Sequence, residues 1–129
     1  MTPTPRHPCA GFSLVELLVV MAFIAILAAI AVPHFSSVTS RAHDATVKSD
    51  VRNAMSAEEE QYIHGDGYVA FQAVDGARVE PPGFSPSAGV TVTATLVGSD
   101  VRIVGVHPGA SSAWCISSSG GEVIAGAEC

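Results

Sequence analysis

The chain has 129 residues, 48% of them hydrophobic, and twelve acids against six bases give a formal net charge of −6. That length supplies one modest core, which excludes a multidomain enzyme, and the acidic balance argues against a nucleic-acid-binding protein. The positive mean hydropathy is a local property. Most of it comes from residues 12–32, whereas the remainder is rich in Gly, Ser and Thr and holds all the acids but Glu16, as a water-exposed domain would.

The chain opens with a hydrophilic leader, MTPTPRHPCAG, whose only formally charged side chain is Arg6. An apolar run over residues 12–32 follows, broken only by Glu16. At about 1.5 Å per residue the run makes roughly 31 Å of helix, enough to cross a hydrocarbon core of about 30 Å. Arg6 and the chain amine predict that the leader stays cytoplasmic while the rest is exported. A secretory signal places its small-residue cleavage site after the apolar core; here the pair Ala10-Gly11 precedes it, so a cut there would leave the membrane segment on the mature chain. Cys9 does not read as a lipidation site, because PRHP ahead of it lacks the apolar and small residues that such a site needs.

The stretch GFSLVELLVVMAFIAILAAIAVP resembles the N-terminal signature of type IV pilins and their pseudopilin relatives. Gly11 matches the glycine before the family's processing site, Phe12 the first mature residue, Glu16 the carboxylate four residues further on, and Pro33 a helix-kinking proline. The strong part of the resemblance covers residues 9–35, and the following helical segment fits more loosely. The resemblance implies that residues 1–11 are a leader removed by a membrane prepilin peptidase, that the new Phe12 amine is methylated, and that assembly machinery polymerises the chain with copies of itself. The subunit would reside in the inner membrane before assembly and in an extracellular pilus afterwards. Such a filament serves adhesion, twitching motility or DNA uptake, and meets its adhesion target or DNA as an assembled polymer. A type II secretion pseudopilin, a minor pilin and a membrane-tethered binding module are the alternatives.

Glu16 has a physical reading of its own. A carboxylate in hydrocarbon costs about 2.5 to 3.5 kcal/mol on insertion scales, so it needs a partner or a task. No base lies between residues 12 and 32, but removal of the leader would create a cation at the Phe12 amine, which a neighbouring subunit could bring to Glu16 in correct axial register. A snorkelling acid near the headgroups is the bland alternative. Ala22, Ala25, Ala28, Ala29 and Ala31 permit close helix approach. Pro33 lacks an amide donor and is expected to kink or locally melt the helix near residues 29–32.

Beyond Pro33, residues 34–64 read as an amphipathic helix. Phe35, Val38, Ala42 and Ala45, then after a phase shift Val51, Ala54, Met55 and Tyr62, recur at three- and four-residue steps. Arg41, Asp44, Lys48, Asp50, Arg52, Glu58, Glu59 and Glu60 are expected on a solvated face, since consecutive helical acids lack the loop spacing of a calcium cage. Gly65 and Gly67 should end the helix. Residues 65–89, with Pro81, Pro82 and Pro86, read as a connecting loop containing one short extended piece around residues 68–74. From Val90 the period becomes two: VTVTATLVG, VRIVGVH, SAWCISS and EVIAG predict an antiparallel meander of about four strands over residues 90–129. The expected fold is α+β, a long N-terminal helix whose outer half packs on a small sheet, with Trp114 in the sheet or helix core.

Cleavage after Gly11 would discard Cys9 and leave Cys115 and Cys129 in an exported domain. A disulfide fits that compartment, closing a loop worth about 3 kcal/mol, and it would match the C-terminal cysteine loop of many type IV pilins; two lone thiols are the alternative. No nucleophile motif, c-type haem attachment sequence or metal-ligand spacing occurs, and His34, His43, His64 and His107 are scattered, so neither catalysis, a cofactor nor a metal is expected.

Overall fold

The computed structural model describes residues 11–80 and 83–129; Cys9, Arg6 and the rest of the leader before Gly11, with Pro81 and Pro82, lie outside the described residues. The chain divides into two compact units at Ser36 and Ser37. Helix α1, Leu14–Ile63, contributes to both, and its backbone remains helical through Pro33, so the local melting expected there does not occur.

In the first unit α1 has no face covered among the described residues. The large apolar side chains of residues 12–32 are between 45% (Val19) and 77% (Leu14) exposed. A helix that is apolar all round finds its solvent in lipid or among other helices.

The second unit, Ser37–Cys129, has a conventional core. Five strands, β1 (Phe71–Val74), β2 (Thr91–Val97), β3 (Asp100–Val106), β4 (Trp114–Ser117) and β5 (Ile124–Ala125), form an antiparallel sheet in simple chain order. The four expected strands correspond to β2 to β5. The fifth is the short extended piece of the connecting loop, which pairs with β2 from Phe71↔Ala94 to Val74↔Thr91. The β2–β3 hairpin turns on Gly98-Ser99 between the paired Val97 and Asp100, with Gly98 at φ +67°, the positive angle that two-residue hairpin loops demand.

Register decides which side chains meet α1. Phe71, Ala94, Ile103 and Ile116 lie in one row across the sheet, and Ala73, Val92, Gly105 and Trp114 in the next. These rows pack with Val47, Val51, Ala54 and Met55 of α1, closed at one side by Phe84 and Val90 of the connecting loop. Gly105 fixes how close helix and sheet come: a Cβ there would lie 2.5 Å from Val51 Cγ2 and 2.7 Å from Val47 Cγ1. At the far end of α1 the N–H of His64 reaches the Glu60 carbonyl and that of Gly65 the Tyr62 carbonyl, with Gly65 and Gly67 at positive φ, so the helix stops where those glycines allow.

Val51, Ala54 and Met55 are buried as expected, but the rest of the buried face of α1 differs from the one expected. Phe35, Val38, Ala42, Ala45 and Tyr62 are exposed, and the covered stripe is Asp44, Val47, Val51, Ala54, Met55 and Glu58, with Asp50 alongside. The solvated position expected for Asp44, Asp50 and Glu58 is therefore overturned; each lies in phase with the apolar stripe and finds a donor in a loop beneath it.

Candidate functional site

Two sets of residues are candidates for functional and structural roles, one in each unit. In the first, Gly11, Phe12 and Ser13 precede α1 in non-helical conformation, and Phe12 is 76% exposed. The N–H of Leu17 bonds the Ser13 carbonyl at 3.3 Å, which closes the first helical turn and sets Glu16 within it. An acid at that position suits the positive end of the helix dipole. Around Glu16 the surface is apolar and uncovered: Leu14, Val15, Leu17 and Leu18 are each more than half exposed. Among the described residues α1 is the one helix long and apolar enough to cross a membrane.

In the second unit the three buried acids of α1 act as clamps. Asp44 accepts the Ser111 N–H at 2.9 Å and the Trp114 indole N–H at 3.0 Å on Oδ1, and the Ser111 hydroxyl at 2.5 Å on Oδ2. The Ser111 hydroxyl, then the indole, hold the Asp44 carboxyl below its ordinary value against a smaller opposing effect of burial. Asp50 takes both the N–H and the hydroxyl of Ser87, at 2.7 and 3.0 Å. Glu58 accepts the Val69 N–H at 2.9 Å on Oε2, while its buried Oε1 has no partner among the described residues; burial pushes this carboxyl up, opposed in part by the Val69 bond. Three loops are thereby fastened to one helix through backbone N–H groups that would otherwise need water. Trp114 belongs to this clamp, its ring capped by the Lys48 ammonium at 3.7 Å. The fold also joins what the sequence scatters: the rings of His43 and His107 stack at 4.0 Å, and His107 Nδ1 accepts the Gly109 N–H at 2.9 Å.

A family profile described as a prokaryotic N-terminal methylation motif matches residues 6–32. The chain is 33% identical over 117 residues to the fimbrial protein of Neisseria meningitidis serogroup B, covering 90% of this chain and 61% of that one. It is 40% identical over 63 residues to the type IV wide pilus major component of Thermus thermophilus, covering 49% and 48%. It is 33% identical over 85 residues to the type IV major pilin protein of Myxococcus xanthus, covering 66% and 34%. Over these stretches the chain is similar to type IV pilins. It spans between about a third and three fifths of the length of these relatives.

The matched motif contains Gly11, Phe12 and Glu16 and stops one residue before Pro33, so the pilin likeness is densest where the first unit is apolar and bare. Pro33 sits inside α1. At the other end of the chain, Cys115 and Cys129 form a disulfide with 5.9 Å between their Cα atoms. Cys115 points to the sheet face opposite α1, since its neighbours Trp114 and Ile116 belong to the rows that meet the helix. The bridge therefore draws the final residues across that outer face and leaves Cys115 fully buried. The clamps formed by Asp44, Asp50 and Glu58 are the structural residues of this unit that sequence reasoning missed. Their signal was present in the three- and four-residue steps from 44 through 47, 51 and 54 to 58.

Proposed function

We propose that this chain is a structural subunit of a type IV pilus. In this reading a prepilin peptidase cuts between Gly11 and Phe12, the Phe12 amine is methylated, and assembly machinery at the inner membrane polymerises the mature chain into a surface filament. The observation that supports it is the bare apolar helix carrying a single carboxylate, Glu16, four residues after Phe12 within the matched motif. In hydrocarbon that carboxylate is costly alone, and the cation created by cleavage is the counter-charge that the segment otherwise lacks. The Phe12 amine of one subunit pairs with Glu16 of another, so the pair forms only between copies in register. The names of two relatives, a major component and a major pilin, favour the abundant shaft subunit over a minor one, and Pro33 serves assembly as a break in the donor ladder of the packed helix.

The test is the intact mass of the protein in sheared extracellular material. A dominant species beginning at Phe12, heavier by one methyl group and lighter by two hydrogens for the Cys115–Cys129 bridge, is expected. A chain confined to membranes and still carrying its leader would overturn the reading. Glu16→Ala is expected to leave processing and membrane insertion intact and to abolish filaments; normal filament yield from that variant would refute the pairing while leaving the subunit assignment standing.

A further inference from the structure

The flank of α1 beside its buried stripe carries a second pattern. Arg41, Ala45, Lys48, Arg52, Ser56 and Glu59 recur at three- and four-residue steps, which aligns them in one stripe. All are exposed except the half-buried Lys48. The stripe is polarised, with its bases toward the N-terminal end and its acid toward the C-terminal end.

Neither Arg52 nor Glu59 can be neutralised by its own helix. Three and four residues from Arg52 stand Ser49, Met55, Lys48 and Ser56; the same steps from Glu59 reach Ser56, Tyr62, Met55 and Ile63. Lys48 and Arg52, four apart, repel each other, an arrangement that weakens an isolated helix. Among the described residues the sheet side offers no relief either: the ion pair there, Arg78–Glu80, joins near neighbours in the connecting loop, and Lys48 is drawn onto the Trp114 ring. Charges that a fold leaves unmatched along a regular stripe are complementary to the same stripe displaced along its axis.

We infer that this stripe is a docking surface for a second copy of the chain, lying parallel and displaced by two helical turns, in which Arg52 of one copy meets Glu59 of the other. Seven residues separate the two positions, so the displacement is about 10.5 Å. At that offset Arg52 of the displaced copy faces Ala45, whose small side chain admits it. Lys48 of that copy comes level with Arg41, and its ammonium is held away by the Trp114 ring. The inference rests on the filament reading, which requires parallel copies. An exposed pair of this kind adds little affinity; its effect is to select one register among the many that apolar helices accept.

The test uses full-length chains expressed where wild type forms filaments, in three versions: Arg52→Glu alone, Glu59→Arg alone, and the two variants co-expressed as separate chains. Reversal replaces an attraction with a repulsion at every contact, so each variant alone is expected to reduce sheared filament roughly tenfold or more. Co-expression is expected to restore it, because alternating chains bring opposite charges together at both kinds of contact. The native Glu59 of the first variant then meets the native Arg52 of the second, and the two introduced side chains, again opposite in charge, meet each other. The unfolding temperature of each variant should match wild type, since both side chains are exposed. Full filament yield from the single variants, no recovery on co-expression, or a lowered unfolding temperature would each overturn the inference. If wild type itself forms no filament, the functional reading fails and this contact fails with it.

Discussion

Gly105→Ala is the smallest change that tests the helix-to-sheet packing. The added Cβ would stand 2.5 Å from Val51 Cγ2 and 2.7 Å from Val47 Cγ1, two side chains that are fully buried and hinge only at χ1. Relief requires helix and sheet to part or a valine to leave its rotamer, and overpacking of this kind costs about 1 to 3 kcal/mol. The substitution also removes the freedom of a glycine from the unfolded chain, a gain of about 0.4 to 1 kcal/mol, because the φ of Gly105 is not positive. The net expectation is a loss of about 1 to 2 kcal/mol, which for a domain of this size lowers the unfolding temperature by roughly 4 to 16 °C. Trp114 is the single tryptophan and pairs with Gly105 across the sheet, so its fluorescence reports the transition directly in the detergent-solubilised chain. Val51→Ala alone loses buried methyl groups and is also destabilising, by about 1 to 3 kcal/mol. In the double variant the cavity receives the new Cβ, and the two losses should fall short of adding by about 1 kcal/mol. Wild-type stability for Gly105→Ala, or strict additivity in the double variant, would refute the close-approach reasoning.

The other expectations concern the clamps and the bridge. The Asp44 carboxyl is held below its ordinary value of 3.8 by its donors, so its contribution is fully present above that value and is lost as pH falls through the depressed value in the folded chain. Asp44→Asn should remove this portion of the acid sensitivity, which urea midpoints measured between neutral and strongly acidic pH will show. Glu58 has the opposite sign. Its folded carboxyl lies above 4.5, so the folded state binds the proton more readily than the unfolded one, and stability falls as pH rises from below 4.5 through the raised value. Glu58→Gln should flatten that decline and be the more stable chain at neutral pH; a less stable variant there would show that the charged form is well accommodated. Replacing Cys115 and Cys129 by Ser opens a bridge spanning 14 residues of sequence, for which loop entropy predicts a loss of about 3 kcal/mol. An unchanged urea midpoint in the double Ser variant would refute that estimate.

The apolar run, the stop at Gly65 and the alternating strands β2 to β4 were legible because each is a pattern of neighbours: contiguity, a residue type that accepts positive φ, a period of two. The short β1 was visible only as an extended piece, since four residues acquire strand identity from the partner they pair with. The clamps were passed over for a sharper reason, although their spacing was in phase with the apolar stripe. An aspartate on a helix reads as solvated unless something offsets its desolvation, and for Asp44 and Asp50 the donors come from Ser111 and Ser87, 67 and 37 residues away. The alanines at 42 and 45 then drew the apolar phase to the wrong side, because a small residue is compatible with either face. His43 and His107 were likewise isolated until the β3–β4 loop brought one ring onto the other.

Two carboxylates of α1 show how the chain divides self-sufficiency from dependence. Asp44 has three donors, all from its own chain, so its charge is satisfied in a single folded copy and its loss should register as stability. Glu16 stands among apolar side chains that nothing in the first unit covers, and the residues around it supply neither a base nor a fold to bury it. A charge of the first kind fixes a structure; one of the second kind leaves a requirement that water, a lipid headgroup or another copy must meet. In hydrocarbon water is absent, and a headgroup can serve only while the segment remains in the bilayer. If many such helices pack together away from lipid, as the proposed filament requires, the partner has to be carried by the subunits themselves, and the amine that the proposed cleavage would expose at Phe12 is a cation that each copy could bring.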